Sequence, residues 1–202
     1  PGHITTMHSF GLEIIRTCKE KVGLPEDFQV LTDINLRSIL FKDAALLCGY
    51  DEKIAEKVNI CRQKNILIES GSSEEKVLNK YEEILRINNS IDYDDQILLA
   101  VKILSNNEEV RKTFSQITKH LLVDEYQDIN AGQRDLISLL SLGQEQGLFV
   151  VGDDDQSIYS FRGGTPEYIR QFHKDYSKNG KIMCLTESRR CPDKVIFMNL
   201  IV

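Results

Sequence analysis

Two short segments hold most of the chemistry this chain could perform. L-L-V-D-E-Y-Q-D-I-N runs from Leu121 to Asn130, and F-V-V-G-D-D-D-Q-S-I-Y-S-F-R-G-G runs from Phe149 to Gly164. Each is an apolar, strand-like run that stops abruptly in carboxylates. An acidic pair at the carboxyl end of a strand is how an α/β fold holds magnesium beside a nucleoside triphosphate. Asp124 and Glu125 follow Val123 directly, so both are expected at the strand's edge and both are candidate metal ligands. Asp124 is expected to hold magnesium, directly or through water, while Glu125 orients and deprotonates an attacking water.

The second segment places Asp153, Asp154 and Asp155 in a row after Gly152. A run of this kind is commonly a solvated turn. Gln156 follows at once, and its amide can both donate to a phosphate and accept from a water, which suits a sensor of the terminal phosphate. Tyr159 and Phe161, two apart, point the same way if the chain is locally extended. They would then form a stacking platform for single-stranded bases; the alternative is that both rings are core. Arg162 could pair with the acidic segment or with a phosphate. One half therefore suits phosphate chemistry and the other suits bases, which points to ATP hydrolysis coupled to movement on nucleic acid.

Elements must position these groups. His3–Met7 reads as a short strand, followed by a helix through Leu12, Ile14, Ile15 and Cys18 at helical spacing. From Thr32 to about Arg86 the pattern is helical throughout, with Ile34, Leu36, Ile39, Leu40, Ala44 and Leu47 on one face. Ser72 with Glu75 reads as a capping box opening a helix through Val77, Leu78, Tyr81, Ile84 and Leu85. This middle third shows no strand and no chemically suggestive cluster, and reads as a helical insertion. Helices follow from Tyr93 to Leu104 and from Asn106-Asn107 onward. Strands are expected at Leu121–Val123, Leu148–Val151 and Ile182–Leu185. Between them lie a helix carrying Leu136, Ile137, Leu139 and Leu140, and one launched at Thr165-Pro166-Glu167 and ending near Tyr176. Cys191-Pro192-Asp193 reads as the start of a last helix. Strands alternating with helices imply a parallel sheet covered on both faces, an α/β fold.

With 41% hydrophobic residues among 202, the chain can bury a real core, of one or two domains. No apolar run approaches the roughly 18 residues of a membrane span, and Pro1-Gly2-His3 opens no secretory pattern. Five cysteines (Cys18, Cys48, Cys61, Cys184, Cys191) lack any C-x-x-C pair, which favours a reducing cytoplasm over disulfides or zinc. The net charge of −6 argues against nonspecific DNA binding by the surface as a whole. From Gln156 onward, however, eight Lys/Arg stand against four Asp/Glu, net +4, leaving −10 for residues 1–155. A phosphate backbone could run along that cationic end, or the difference is compositional noise.

Leu121–Asn130 and Val150–Gly164 closely resemble motifs II and III of the UvrD/Rep family of superfamily 1 DNA helicases, usually L-V-D-E-Y-Q-D-T-N and V-G-D-x-D-Q-S-I-Y-x-W-R-G. Thr6-Met7-His8-Ser9-Phe10 resembles the family's T-F-H-S-F segment near the DNA track. Asp92-Tyr93-Asp94-Asp95 resembles its D-F-D-D-L stretch, and Leu185–Arg190 lines up with L-x-x-N-Y-R. The resemblance implies a RecA-like parallel sheet of the P-loop NTPase type with an all-helical inserted subdomain. It divides the chain into a first motor-domain segment (1–22), the helical insertion (23–91), the returning motor domain (92–185) and the start of a second motor domain (186–202). It implies ATP and Mg2+ at Asp124, Glu125, Gln156 and Arg190, with Arg190 on the terminal phosphate. Tyr159, Phe161, Thr6, His8 and Arg162 would face single-stranded or partly duplex DNA, unwound 3′-to-5′ in the cytoplasm alongside repair or replication proteins.

Departures from the pattern are Phe161 for tryptophan, Met7 for an aromatic, Ile129 for threonine, and Ser188-Arg189 for Asn-Tyr. No G-x-x-x-x-G-K-[ST] occurs anywhere, so the chain is expected to be a fragment of a longer motor, inactive by itself. Two other readings remain open here: a non-catalytic DNA- or partner-binding module of helicase ancestry, and the motor part of a helicase–nuclease. RNA as the track also remains open, because stacking platforms accept both sugars.

Overall fold

The computed structural model describes residues 2–142, 147–158, 163–176, 181–187 and 190. The chain divides into two compact units, Pro1–Ile169 and Arg170–Val202.

In the first unit, helix α1 (Met7–Thr17) starts at Thr6, whose side chain accepts from the Ser9 backbone N–H. The strand expected at His3–Met7 does not form: residues 3–6 carry no regular structure and Met7 is already helical. Thr6 satisfies an orphan helix donor there, and that local bond decides the conformation. β1 (Gln29–Leu31) was not expected; it pairs in parallel with β2 (Ser90–Asp92), Val30 opposite Ile91. Between these two strands lie α2 (Ile34–Leu47), α3 (Glu52–Gln63) and α4 (Ser73–Ile87). Each of the three opens on a side-chain cap, from Asp33, Asp51 and Ser72. Glu75 completes the last cap by accepting from the Gly71 backbone N–H at 2.6 Å rather than from Ser72.

The three helices pack around Phe41, Ala44, Ala45, Ala55, Val58, Val77, Tyr81 and Leu85. The buried face of α2 is therefore Arg37, Phe41, Ala44 and Ala45, which shares only Ala44 with the expected row, Leu40 packing at its margin. Ile34, Leu36, Ile39 and Leu47 are exposed. Small alanines let the helices approach, and Arg37 is drawn inward by Asp92 of β2 and by Asp94 just before α5, so charge overrides apolar count.

α5 (Asp95–Asn106), α6 (Glu108–Ile117) and α7 (Ala131–Ser141) join α1 in a second core built on Phe10, Ile14, Ile15, Ile97, Ala100, Ile103, Leu104, Phe114, Leu136 and Leu140. Gly11 marks the tightest approach: a Cβ there would lie 2.1 Å from the Gln96 carbonyl oxygen. Each fully buried Ile or Leu contributes about 1.5–3 kcal/mol. β3 (Leu121–Val123) pairs in parallel with β4 (Leu148–Val150), Leu122 opposite Phe149. β4 is half-buried to exposed rather than fully buried. Among the described residues two small two-stranded parallel sheets thus stand among helices.

Where α3 and α4 meet the second core, charge is largely buried. Arg62 of α3 donates from Nε to Asp92 Oδ2 (3.1 Å), reaches Glu82 at 3.2 Å, and pairs with Asp95. Tyr81 donates its hydroxyl to Asp92 Oδ2 at 2.9 Å. Asp92 and Asp95 bond reciprocally, each backbone N–H donating to the other's carboxylate at 2.9 and 2.8 Å. Arg37 pairs with Asp94 and donates to Asn59. Burial holds Asp95 up at about 7 despite Arg62, whereas the two arginines keep Asp92 below the ordinary carboxylate value.

α8 (Glu167–Tyr176) begins where Thr165-Pro166 placed it, with the Tyr168 N–H bonded to the Thr165 carbonyl. In the second unit Phe172 stacks on Tyr176 at 4.9 Å. Residues 182–185 form no strand and are exposed; their apolar run has no partner strand among the described residues. The last expected helix, at Cys191, lies outside the described residues. Cys18, Cys48, Cys61 and Cys184 are free thiols. No helix among the described residues is long and apolar enough to cross a membrane.

Candidate functional site

The parallel pairing of β3 and β4 brings the two acidic segments to the same end of one sheet. Val151 N–H donates to the Val123 carbonyl at 2.9 Å, and Tyr126 N–H donates back to the Val151 carbonyl at 3.0 Å. The ladder therefore continues past the last strand residues, and the chain turns away at Asp124-Glu125 on one side and at Gly152-Asp153 on the other. Tyr126 and Gln127 are buried beneath this edge while Asp124 and Glu125 are exposed.

Glu125 adopts a left-handed backbone, φ 51° and ψ 42°. The other non-glycine residues at positive φ among the described residues are asparagines, Asn65 and Asn89, which tolerate that region; a glutamate does so rarely. The turn is held by the Glu125 N–H, which donates to Asp124 Oδ1 at 2.9 Å. A short 3-10 turn over Tyr126–Asp128 follows, and then the capping box of α7, in which Asn130 and Gln133 bond reciprocally.

Gln127 is the residue that sequence reasoning passed over. It lies 1% exposed, with both ends of its amide engaged. Nε2 donates to Glu125 Oε2 at 2.7 Å, and Oε1 accepts from the Asp153 N–H at 3.0 Å. Gly152 makes room for it: a Cβ there would sit 2.3 Å from Gln127 Oε1. Asp153 in turn accepts from the Asp155 N–H (3.1 Å) and from Gln156 Nε2 (2.6 Å). An unbroken series of hydrogen bonds thus runs from the Glu125 carboxylate through Gln127 and Asp153 to Gln156. Ser157 adds a weaker tie to Asp128 at 3.4 Å. The signal for Gln127 was its place in D-E-Y-Q-D, but its second partner is 26 residues away, and only the sheet brings it near.

Asp124 Oδ2 and Glu125 Oε1 take no hydrogen bond from the described residues, so two hard oxygens remain open at the edge. Among the described residues no group of three or more His, Cys, Asp or Glu is arranged to hold a metal ion by itself. Magnesium at a nucleotide site takes one or two protein carboxylates and completes its shell with phosphates and water. The donor set present fits that ion.

The other expected site residues are placed as follows. Thr6 is exposed, with its hydroxyl donating to Ser9 Oγ at 2.9 Å while capping α1. His8 stacks on Tyr93, ring centroids 4.0 Å apart and 20° from parallel. Burial lowers its pKa to about 4, so near neutral pH the ring is an uncharged aromatic and not a phosphate-binding cation. Tyr93 is 47% exposed, which leaves aromatic surface next to α1. Arg190, in the second unit, is exposed. Tyr159, Phe161 and Arg162 lie outside the described residues.

Comparison with known proteins adds an independent finding. The family profile described as the UvrD/REP helicase N-terminal domain matches residues 2–177. The chain is 32% identical over 206 residues to the ATP-dependent DNA helicase Rep of Escherichia coli (strain K12), covering 96% of this chain and 30% of that protein. It is 30% identical over 207 residues to the ATP-dependent DNA helicase PcrA of Bacillus subtilis (strain 168), covering 96% of this chain and 28% of that protein. A probable DNA helicase II homolog of Mycoplasma capricolum is 28% identical over 211 residues, with 96% and 29% covered. The chain therefore spans less than a third of the length of these relatives.

Proposed function

The chain belongs to the UvrD/Rep helicase family, and from that premise we propose that it is part of an ATP-dependent DNA helicase. The motor couples Mg-ATP hydrolysis to movement on single-stranded DNA and to duplex unwinding, 3′-to-5′, in the cytoplasm. In this reading β3 and β4 are neighbours in a RecA-like sheet, and α2–α4 form its helical insertion. The observation that carries the reading is the shared edge: one pair of parallel strands delivers Asp124-Glu125 and Asp153–Gln156 to the same place.

Each residue has a separate task. Asp124 would hold magnesium directly and Glu125 would reach it through the attacking water, and the ion's charge would offset that of the phosphates when it is bound. Glu125, with one oxygen fixed by Gln127, presents the other to an attacking water and takes its proton. Gln156 exchanges its bond to Asp153 for one to the terminal phosphate, so nucleotide state is felt in the turn. Arg190 offsets charge developing on the transferred phosphoryl group. Tyr159 and Phe161 stack on bases, Arg162 and Thr6 meet the backbone, and His8 with Tyr93 offers an uncharged aromatic surface to the strand.

The test uses the full-length protein that carries these residues. Mg-dependent ATP turnover should rise on adding single-stranded DNA, and Glu125→Gln should lower kcat by about 10²–10⁴-fold, the usual worth of a general base. Gln156→Ala should leave turnover that no longer answers to DNA. The 202-residue chain alone, which has no G-x-x-x-x-G-K-[ST] run, should not turn over ATP. Wild-type kcat in Glu125→Gln, or turnover by the isolated chain, would overthrow the assignment.

A further inference from the structure

We propose that Gln127 is a positioning residue that holds the Glu125 carboxylate and the Asp153–Gln156 turn in one register, so that the water-activating group and the phosphate-reporting glutamine are set together. The inference rests on the helicase reading above and deepens it at the same site.

The geometry leaves Gln127 little freedom. Its Nε2 lies 2.7 Å from a carboxylate oxygen and its Oε1 lies 3.0 Å from a backbone N–H. Flipping the amide would set oxygen against oxygen and donor against donor, so both contacts select one orientation. The side chain is 1% exposed, so water cannot substitute readily for either partner. The backbone around it is equally committed: Tyr126 N–H is bonded to the Val151 carbonyl, and Gly152 brings its backbone so close that a Cβ there would lie 2.3 Å from Gln127 Oε1. A displacement of the β4 turn therefore moves Asp153 N–H, then the amide, then Glu125. The bond also takes up one oxygen of Glu125 and fixes which one remains for water. Gln127 is buried beneath the edge on which Asp124 and Glu125 stand exposed, which separates it from them.

Gln127→Glu keeps the shape but replaces the donor with a second carboxylate beside Glu125. Two carboxylates so close do not both ionise freely, so the pair holds a proton to higher pH. Gln127→Met keeps the volume and removes both hydrogen bonds. In the full-length protein we expect kcat for ATP to fall about 10–100-fold in both variants, the scale of a misplaced reacting group. KM for ATP should stay within about twofold, since uniform binding is untouched. Gln127→Glu alone should shift the acid limb of the kcat–pH profile upward, which a loosened fold would not do. In both variants DNA should stimulate turnover less than in wild type.

Wild-type turnover is measured first. If the unaltered protein shows no DNA-stimulated ATP hydrolysis, the helicase reading fails before Gln127 is at issue. If it is active and the variants retain wild-type kcat and pH profile, the proposal is wrong. It is equally wrong if kcat falls while the acid limb of Gln127→Glu stays in place and DNA stimulation is unchanged. Failure of both variants to fold would assign Gln127 to the fold rather than to positioning, and would also overturn it.

Discussion

Asp92 and Asp95 are enclosed by Arg62, Arg37 and Tyr81, whereas Asp124 and Glu125 stand exposed at the end of β3 with an open oxygen each. As sequence, D-Y-D-D and D-E-Y-Q-D differ little. In the fold they are opposites. At the first, every carboxylate meets a guanidinium, a phenol or a backbone N–H, and nothing is left for a ligand. At the second, one oxygen per residue is used to fix the side chain and the other faces outward. An acidic cluster is structural when its lone pairs are saturated and chemical when they are deliberately left over. Burial alone does not distinguish them; the count of partners does.

Arg62→Leu should break that contrast most severely. It leaves Asp92 and Asp95 buried without their main cation, and unfolding by urea should show a loss of about 3–5 kcal/mol. A loss under about 1 kcal/mol would mean that the charges do not fasten α3 to β2 and α5. Tyr81→Phe is gentler, because the stacking on Phe41 at 3.7 Å survives and only the bond to Asp92 goes. The expected cost is about 1.5–3 kcal/mol, that of a hydrogen bond to a charged group; equal stability would show that Asp92 is already satisfied by the arginines.

A smaller, pH-dependent effect belongs to His8, beside the enclosed cluster on Tyr93. Its folded pKa, lowered by burial to about 4, lies below the ordinary 6.5. Between those values the unfolded chain binds more protons at this residue, so the contribution of His8 to stability falls as pH drops from 6.5 toward 4 and is fully present above. His8→Phe should remove that slope while keeping a stacked ring. An unchanged slope in unfolding curves across that window would place the titration elsewhere. Asp124→Asn should do least to stability, within about 0.5 kcal/mol. A larger loss would show that the exposed edge is structural after all, and the contrast would dissolve.

Local signals in the sequence located β3 to the residue, and the caps at Ser72 and Thr165-Pro166 located α4 and α8 nearly as well. Each of those depends on a few adjacent residues. The failures share a different cause. β1 is three residues long and exists only because β2 pairs with it 61 positions later. The face of α2 was misjudged because Arg37 counts as a surface residue until Asp94 and Asp92 are known to lie beside it. Ile182–Leu185 has strand composition with no strand to receive it among the described residues. At the candidate site the carboxylates and Gln156 were legible from type and order. Gln127 was not, since an amide joining two turns is defined by where both turns end.

Glu125 carries one more implication. An L-residue in the left-handed region costs about 1–2 kcal/mol that glycine would not. If heat tolerance were the sole criterion in a laboratory selection, Glu125→Gly would be favoured: the kink would relax, the chain would melt later, and the open carboxylate oxygen proposed to meet water would be gone. Robustness and usefulness compete there at a single codon.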